Sequence, residues 1–274
     1  MMPIPSGALR FNSDSGKLEY YNGEAWWQID NFSADNATGG ARGVFGGGEA
    51  PSGADNTISY VTLSTTGNAI DFGDLTVIRR LTSSASSSTR GLWLGGRLAP
   101  NLANSNVIDY VTISSTGNAT DFGDLTSENN GLGSLSNSTR ALSGGGGPAT
   151  TIVYVTIAST GNAVSFGNLT SAHNTAGSCA SSTRGIFAGH TSPHNVIEFV
   201  TISTLGNAAD FGDLITPMGN SGCSNSIRGI FGGGYNAPTR VNNLEYITIA
   251  TLGNAIDFGD LTQTRAYTSA CASA

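Results

Sequence analysis

The sequence predicts an all-β protein, a five-bladed β-propeller closed by its own terminal strands and preceded by a small β-hairpin segment. Three observations predict it. One motif recurs five times, the runs between its copies have the periodicity of strands, and the two ends of the repeat region are out of phase by one strand. The motif reads "TGNAIDFGDLT" from Thr66, "TGNATDFGDLT" from Thr116, "TGNAVSFGNLT" from Thr160, "LGNAADFGDLI" from Leu205 and "LGNAIDFGDLT" from Leu252. Its glycines Gly67, Gly117, Gly161, Gly206 and Gly253 are spaced by 50, 44, 45 and 47 residues. Periods of that length belong to propellers and other stacked arrays, in which each copy is one supersecondary unit.

Residues 1–40 precede the repeats. "LRFN" and "KLEYYNG" alternate around "SDSG" and read as a hairpin, followed by the aromatic strand "AWWQI" after an Asn22-Gly23 turn. A hairpin of this size buries too little to stand alone, so it is expected to pack on something else, as an attachment or oligomerisation segment.

Within residues 41–274, one repeat runs from Arg42 to Ser88. "RGVFGGG" is a short β-branched and aromatic run ending in glycines, and "TISYVTLST" is rich in Thr, Ile, Val and Tyr. "NAIDFGDL" follows Gly67, and the small, Ser-rich "RRLTSSASSS" leads into the next repeat. No stretch keeps apolar spacing of three and four over helical length, so each repeat reads as four short strands. Gly-Asn between two of them reads as a tight hairpin turn, and Phe72 and Leu75 as core. After the fifth motif, "QTRAYTSACASA" matches only a first strand, while the first repeat begins at a second strand. Pairing the last residues beside "RGVFGGG" would complete one blade from both termini and remove the exposed edges.

Composition narrows the function. Of 274 residues 38 are Gly and 11% are charged, with 19 carboxylates against eleven arginines and Lys17 alone, for a net charge of -7. An acidic chain without a concentrated basic surface is not expected to bind nucleic acid. No apolar run reaches the ~18 residues that span a bilayer, and the N-terminus lacks the n- and h-regions of a secretion signal. A soluble protein without membrane insertion, not exported by that route, is expected. Cys179, Cys223 and Cys271 fall in one repeat column with Ala85 and Leu135, so they read as small core residues, with no Cys-x-x-Cys or Cys/His spacing for a metal.

Candidate chemistry is thin. Asp-Phe-Gly occurs in a protein-kinase loop, but "HRD" and the Val-Ala-x-Lys lysine are absent, and "GGGG" at Gly144 lacks the Lys-Ser/Thr of a phosphate loop. The pairs Asp71/Asp74, Asp121/Asp124, Asp210/Asp213 and Asp257/Asp260 could hold calcium. The third repeat has Ser165 and Asn168 instead, which favours structural hydrogen bonds or pairing with the repeated arginines Arg42, Arg90, Arg140, Arg184 and Arg228. His173, His190 and His194 lack a nucleophile arrangement and read as loop residues. No cofactor, catalytic set or metal site is expected.

Comparing repeats within the chain is more informative. The connections "SSSTRG" and "STTGNA" hardly vary and belong to one end of each blade. At the other end are "EAPSGADN", "RLAPNLANSN", "GPAT", "HTSPHN" and "YNAPTRVNN", with "VIRRL", "SENNG", "SAHNT", "ITPMG" and "QTRAY", which differ in length and chemistry. A diversified loop face on a rigid scaffold is where recognition usually sits, with Arg79, Arg80, Arg97, His190, His194, Tyr235, Arg240 and Tyr267 as its contact residues.

Two resemblances extend this reading. The glycines closing the second strand ("VFGGG" at Val44, "WLGG" at Trp93, "LSGGGG" at Leu142, "IFAG" at Ile186, "IFGGG" at Ile230) and the third-strand aromatics Tyr60, Tyr110, Tyr154, Phe199 and Tyr246 resemble kelch repeats, although the kelch tryptophan before the fourth strand is missing. The repeat as a whole is similar to kelch-like repeats of bacteriophage structural proteins, notably of cyanophages. Leu9 to Trp27 look like a short module near the ends of phage tail fibres. The resemblance implies a non-enzymatic virion protein of a tail or neck fibre or similar appendage, made in the host cytoplasm. It would be attached to other virion proteins through residues 1–40, be homo-oligomeric, and display a face for host adsorption or assembly. A carbohydrate-binding lectin or receptor-binding module that takes host cell-surface glycan is the alternative. A glycan-cleaving propeller is third, because the aspartates come one set per repeat and not as a unique converging pair.

Overall fold

A computed structural model describes residues 4–12, 17–28, 42–51, 53–147, 149–172, 177–189, 195–217, 219–236, 238–266 and 270. They form strands, turns and loops with no helix, and the chain divides into two compact units, 1–41 and 42–274.

The first unit is an antiparallel sheet of β1 (Leu9–Asn12), β2 (Lys17–Tyr21) and β3 (Trp26–Gln28), in that order. The expected turn after Tyr21 is present: the Asn22 side-chain oxygen accepts from the amides of Glu24 and Ala25, and Gly23 takes a φ of 107°. The turn between β1 and β2 lies outside the described residues. One face carries Leu9, Phe11, Leu18, Tyr20 and Trp27, all exposed. On the other, buried Glu19 accepts from Asn12 and Arg10, which hold its carboxyl below the usual range, and the Arg10 guanidinium lies 4.2 Å over the Trp26 ring.

The second unit is a series of small antiparallel sheets, one per repeat. The first has three strands, β4 (Arg42–Ala50), β5 (Gly53–Thr62) and β6 (Ile70–Asp74). Strand β7 (Arg79–Arg80) follows and pairs with β10 (Arg97–Leu98). The second sheet is β8 (Ser83–Ser86), β9 (Arg90–Leu94), β11 (Ser105–Thr112) and β12 (Thr120–Asn129). The third is β13 (Gly133–Ser136), β14 (Arg140–Gly144), β15 (Thr151–Thr156) and β16 (Val164–Asn168). The fourth is β17 (Gly177–Ala180), β18 (Arg184–Ala188), β19 (Val196–Thr201) and β20 (Ala209–Asp213), and the fifth β21 (Gly219–Ser224), β22 (Arg228–Asn236), β23 (Thr239–Thr248) and β24 (Ile256–Asp260).

Apolar side chains of adjacent sheets interleave into shared clusters. One joins Ile58, Phe72 and Leu75 of the first repeat to Trp93, Val111 and Ala119 of the second. The first strands pack side by side through serines: Ser83 bonds Ser134 at 2.7 Å, Ser178 donates to the Ser134 carbonyl, and Ser224 to that of Ala180. Small hydroxyl residues allow this approach while satisfying the backbone groups it buries.

The Gly-Asn pair is not the hairpin turn that the sequence suggests. The turn comes earlier, where the Thr65 amide bonds the Thr62 carbonyl, with counterparts at Ser115, Ser159, Thr204 and Thr251. Gly-Asn-Ala instead runs on towards the fourth strand and, in repeats two to five, bonds the preceding sheet.

The closure expected from the sequence would bring the fifth repeat against the first. The final residues 267–269 and 271–274 lie outside the described residues. Among the described ones, the bonds found at the four internal junctions are absent between β24 and the first repeat, and the side chains that would fill that junction are exposed.

Candidate functional site

The uniform end of the repeats is a set of junctions. In every fourth strand the Phe of the motif sits on a β-bulge: Ile58 faces Gly73 and Ser59 faces Asp71, so Phe72 has no partner across β5. The bulge sends the Phe72 ring inward, against Tyr60 at 5.9 Å edge-on, and turns its carbonyl outward. That carbonyl accepts from the Gly117 amide of the next repeat at 2.7 Å, the Asp74 carbonyl from Ala119 at 2.8 Å, and the Asn118 side chain from the Asp74 amide at 3.1 Å. The same three bonds join repeats two and three through Gly161, Asn162 and Ala163, three and four through Gly206, Asn207 and Ala208, and four and five through Gly253, Asn254 and Ala255.

Close approach explains the glycine of the bulge. A Cβ on Gly73 would lie 2.5 Å from the Gly117 carbonyl carbon, and φ there is 145°, a region that L side chains rarely adopt.

The repeated arginines take part in the same junctions and do not pair with the aspartates. Arg42 lies over the Tyr60 ring at 4.5 Å and donates to the Ile113 carbonyl of the next repeat at 3.0 Å. Arg90, Arg140 and Arg184 repeat both contacts, donating to Ile157, Ile202 and Ile249. This end is therefore uniform for a structural reason, since its residues bond a neighbouring repeat.

A further set of junction groups escaped sequence reasoning. Buried Asp109, Glu198 and Glu245 occupy one column of the third strand. Asp109 accepts from the Thr76 hydroxyl at 2.6 Å, Glu198 from the Thr170 amide and hydroxyl, and Glu245 from the amides of Ile215 and Thr216 at 2.7 and 2.9 Å. Burial pushes the Glu245 carboxyl above its ordinary value, against those bonds. The available signal was a lone acidic residue inside an apolar strand, as in "IDYV", "IEFV" and "LEYI".

At the variable end the structure separates the expected contact residues. Arg79 is not one of them. It is fully buried, donating to the carbonyls of Gly95, Trp93 and Val107 and to the Asp109 carboxylate at 2.9 Å, so its charge is used inside the protein. Burial pulls its pKa down and Asp109 opposes that. Arg80 and Arg97 face each other across the β7 and β10 pair, both half-buried, and Arg80 is ion-paired with exposed Glu49. Tyr235 and Arg240 face each other in the long hairpin of β22 and β23, with Tyr235 half-buried and Arg240 exposed. His173, His190, His194 and Tyr267 lie outside the described residues.

Among the described residues, no group of three or more His, Cys, Asp or Glu could hold a metal ion. Cys179 is buried beside Cys223, and burial pushes its thiol up to about 12, which makes it a poor nucleophile. Comparison with protein-family models and with curated proteins finds no match.

Proposed function

We propose that this chain is a non-enzymatic virion structural protein of a phage, a component of a tail or neck fibre or similar appendage. Its five repeats are kelch-like propeller blades that carry a variable loop face for host adsorption or assembly. The observation that carries the reading is the use made of the repeat motif: its Phe carbonyl, Asn side chain, Gly and Arg all serve unit-to-unit bonds. Chemistry that recurs in every repeat is thereby committed to building an array, and diversity is left to the loop end. The resemblance of Leu9–Trp27 to a fibre-end module supports attachment to other virion proteins through residues 1–40, where five large apolar side chains share one exposed sheet face. Arg80, Arg97, Tyr235 and Arg240 are the described residues placed to meet a partner at the loop end, host cell-surface glycan being one such partner. As a closed five-bladed ring the array would bury its two end faces against each other; as an open one it presents both. Peptide mass spectrometry of density-purified, salt-washed particles tests the assignment. The chain is expected to stay with the particle, and its loss into the lysate supernatant would overturn the proposal.

A further inference from the structure

The two ends of the repeat array are exposed copies of surfaces that are covered at the internal junctions. At the first end, Leu63 is 66% exposed, whereas its counterpart Ile113 is half-buried and Ile157, Ile202 and Ile249 are at most 1% exposed. Phe45 is 62% exposed, and its counterparts Trp93, Phe187 and Phe231 are buried. At the other end, Phe258 of the fifth bulge is 48% exposed, against 3% for Phe72, Phe122, Phe166 and Phe211. A Cβ on Gly259 would meet nothing within 4 Å, while one on Gly73, Gly123 or Gly212 would run into the backbone of the next repeat.

The internal junctions show what covers these surfaces. Trp93 of the second repeat clusters with Ile58 and Leu75 of the first, its ring against Gly46. Phe187 sits in the same way with Gly144, Ile152 and Leu169, and Phe231 clusters with Ala188, Ile197 and Leu214. The matching socket in the fifth repeat consists of Gly232, Leu244 and Leu261, which line an open cavity of about 150 Å³ together with Cys223, Ile230 and, from the C-terminal segment, Arg265 and Ala270. The matching knob in the first repeat is Phe45. The backbone partners match as well, although Ser59 stands in the first repeat where Asp109 meets Arg79 in the second. Phe258 and Asp260 carry the carbonyls that would receive the amides of Gly67 and Ala69, and Arg265 in "LTQTR" is the counterpart of buried Arg79 in "LTVIR".

We propose that the fifth repeat of one chain docks on the first repeat of a second copy. The contact is head to tail: Phe45 fills the Gly232, Leu244 and Leu261 socket, and the Gly67-Asn68-Ala69 segment bonds the β24 bulge. The partner is a second copy because the surface each end requires is the other end of this sequence, and within one chain both ends are exposed. Such a heterologous contact closes into a ring or continues as a filament according to its rotation. It is independent of whether the chain is a virion component.

Two blocked variants of the full chain test it, Phe45→Glu for the first face and Phe258→Glu for the fifth, with circular dichroism to verify folding and Leu261→Arg in place of Phe258→Glu if that chain unfolds. Analytical ultracentrifugation is run from about 1 to about 100 µM, the range of moderate protein affinities. The unmodified chain is expected to gain mass above 27.9 kDa as concentration rises. Each blocked variant alone should stay at that mass, and an equimolar mixture of the two should give a species of twice it, because one good face of each kind remains. An unmodified chain that stays at 27.9 kDa throughout, as closure within one chain would produce, overturns the proposal, as does a mixture that forms no dimer.

Discussion

Arg79 illustrates how far one residue's role can lie from its place in the sequence. It belongs to a variable connection and carries a charge, which suggests a surface contact, yet its guanidinium is buried with Asp109 and three carbonyls. Removing one partner of a buried pair leaves the other charged and without its counter-ion, at a cost of about 3–5 kcal/mol, whereas replacing both with apolar groups of similar size is often close to neutral. Arg79→Met is therefore expected to lower stability in urea titration by about that much, and Arg79→Met with Asp109→Leu to recover most of it. A double variant no more stable than the single would show that the carbonyl bonds, and not the ion pair, carry the effect. The repeat comparison could not place Arg79, because the matching position in the second repeat is Asn129, which donates to the Gly145 carbonyl by a different geometry.

At the scale of the element, the bulge in the fourth strand connects the motif to the stacking of sheets. Gly123 and Gly259 occupy the same place in two repeats, with φ of 142° and 136°, so alanine strains the backbone alike at both, by about 1 kcal/mol. They differ in surroundings. A Cβ at Gly123 would lie 2.6 Å from the Gly161 carbonyl, and at Gly259 it would meet nothing. Gly123→Ala is expected to lose a further ~1–3 kcal/mol through forced separation of the second and third repeats, read as a larger fall in Tm at low protein concentration than for Gly259→Ala. Equal losses would mean that the glycine is kept for its φ alone. Strand content was legible in the sequence because alternation and turn residues act locally: repeats two to five have their four expected strands, the first sheet has three, and Phe72 and Leu75 are buried. The Gly-Asn pair misled because its φ > 0 chemistry suits a turn equally well, and the partner that decides its role lies in another repeat. The arginines misled in the same way, since a neighbouring ring and carbonyl compete with the aspartates for each guanidinium.

For the whole molecule, the sequence carries the number of repeats and the offset of the ends, but not where the ends go. The same junction chemistry serves closure within a chain and docking between chains, so Leu63, Phe45 and Phe258 look alike on paper to their buried counterparts. Their exposure in the single chain is the observation on which the head-to-tail proposal rests. A uniform end consumed by junctions leaves the loop end as the surface free to vary, and residues 1–40 expose a separate aromatic face. The most direct measurement of the central claim is a cryo-electron density map of the intact particle into which the repeat array is fitted. The account predicts density on an external appendage that the repeat array fits. A map whose appendages are all filled by other chains, leaving no density that the array fits, would contradict it.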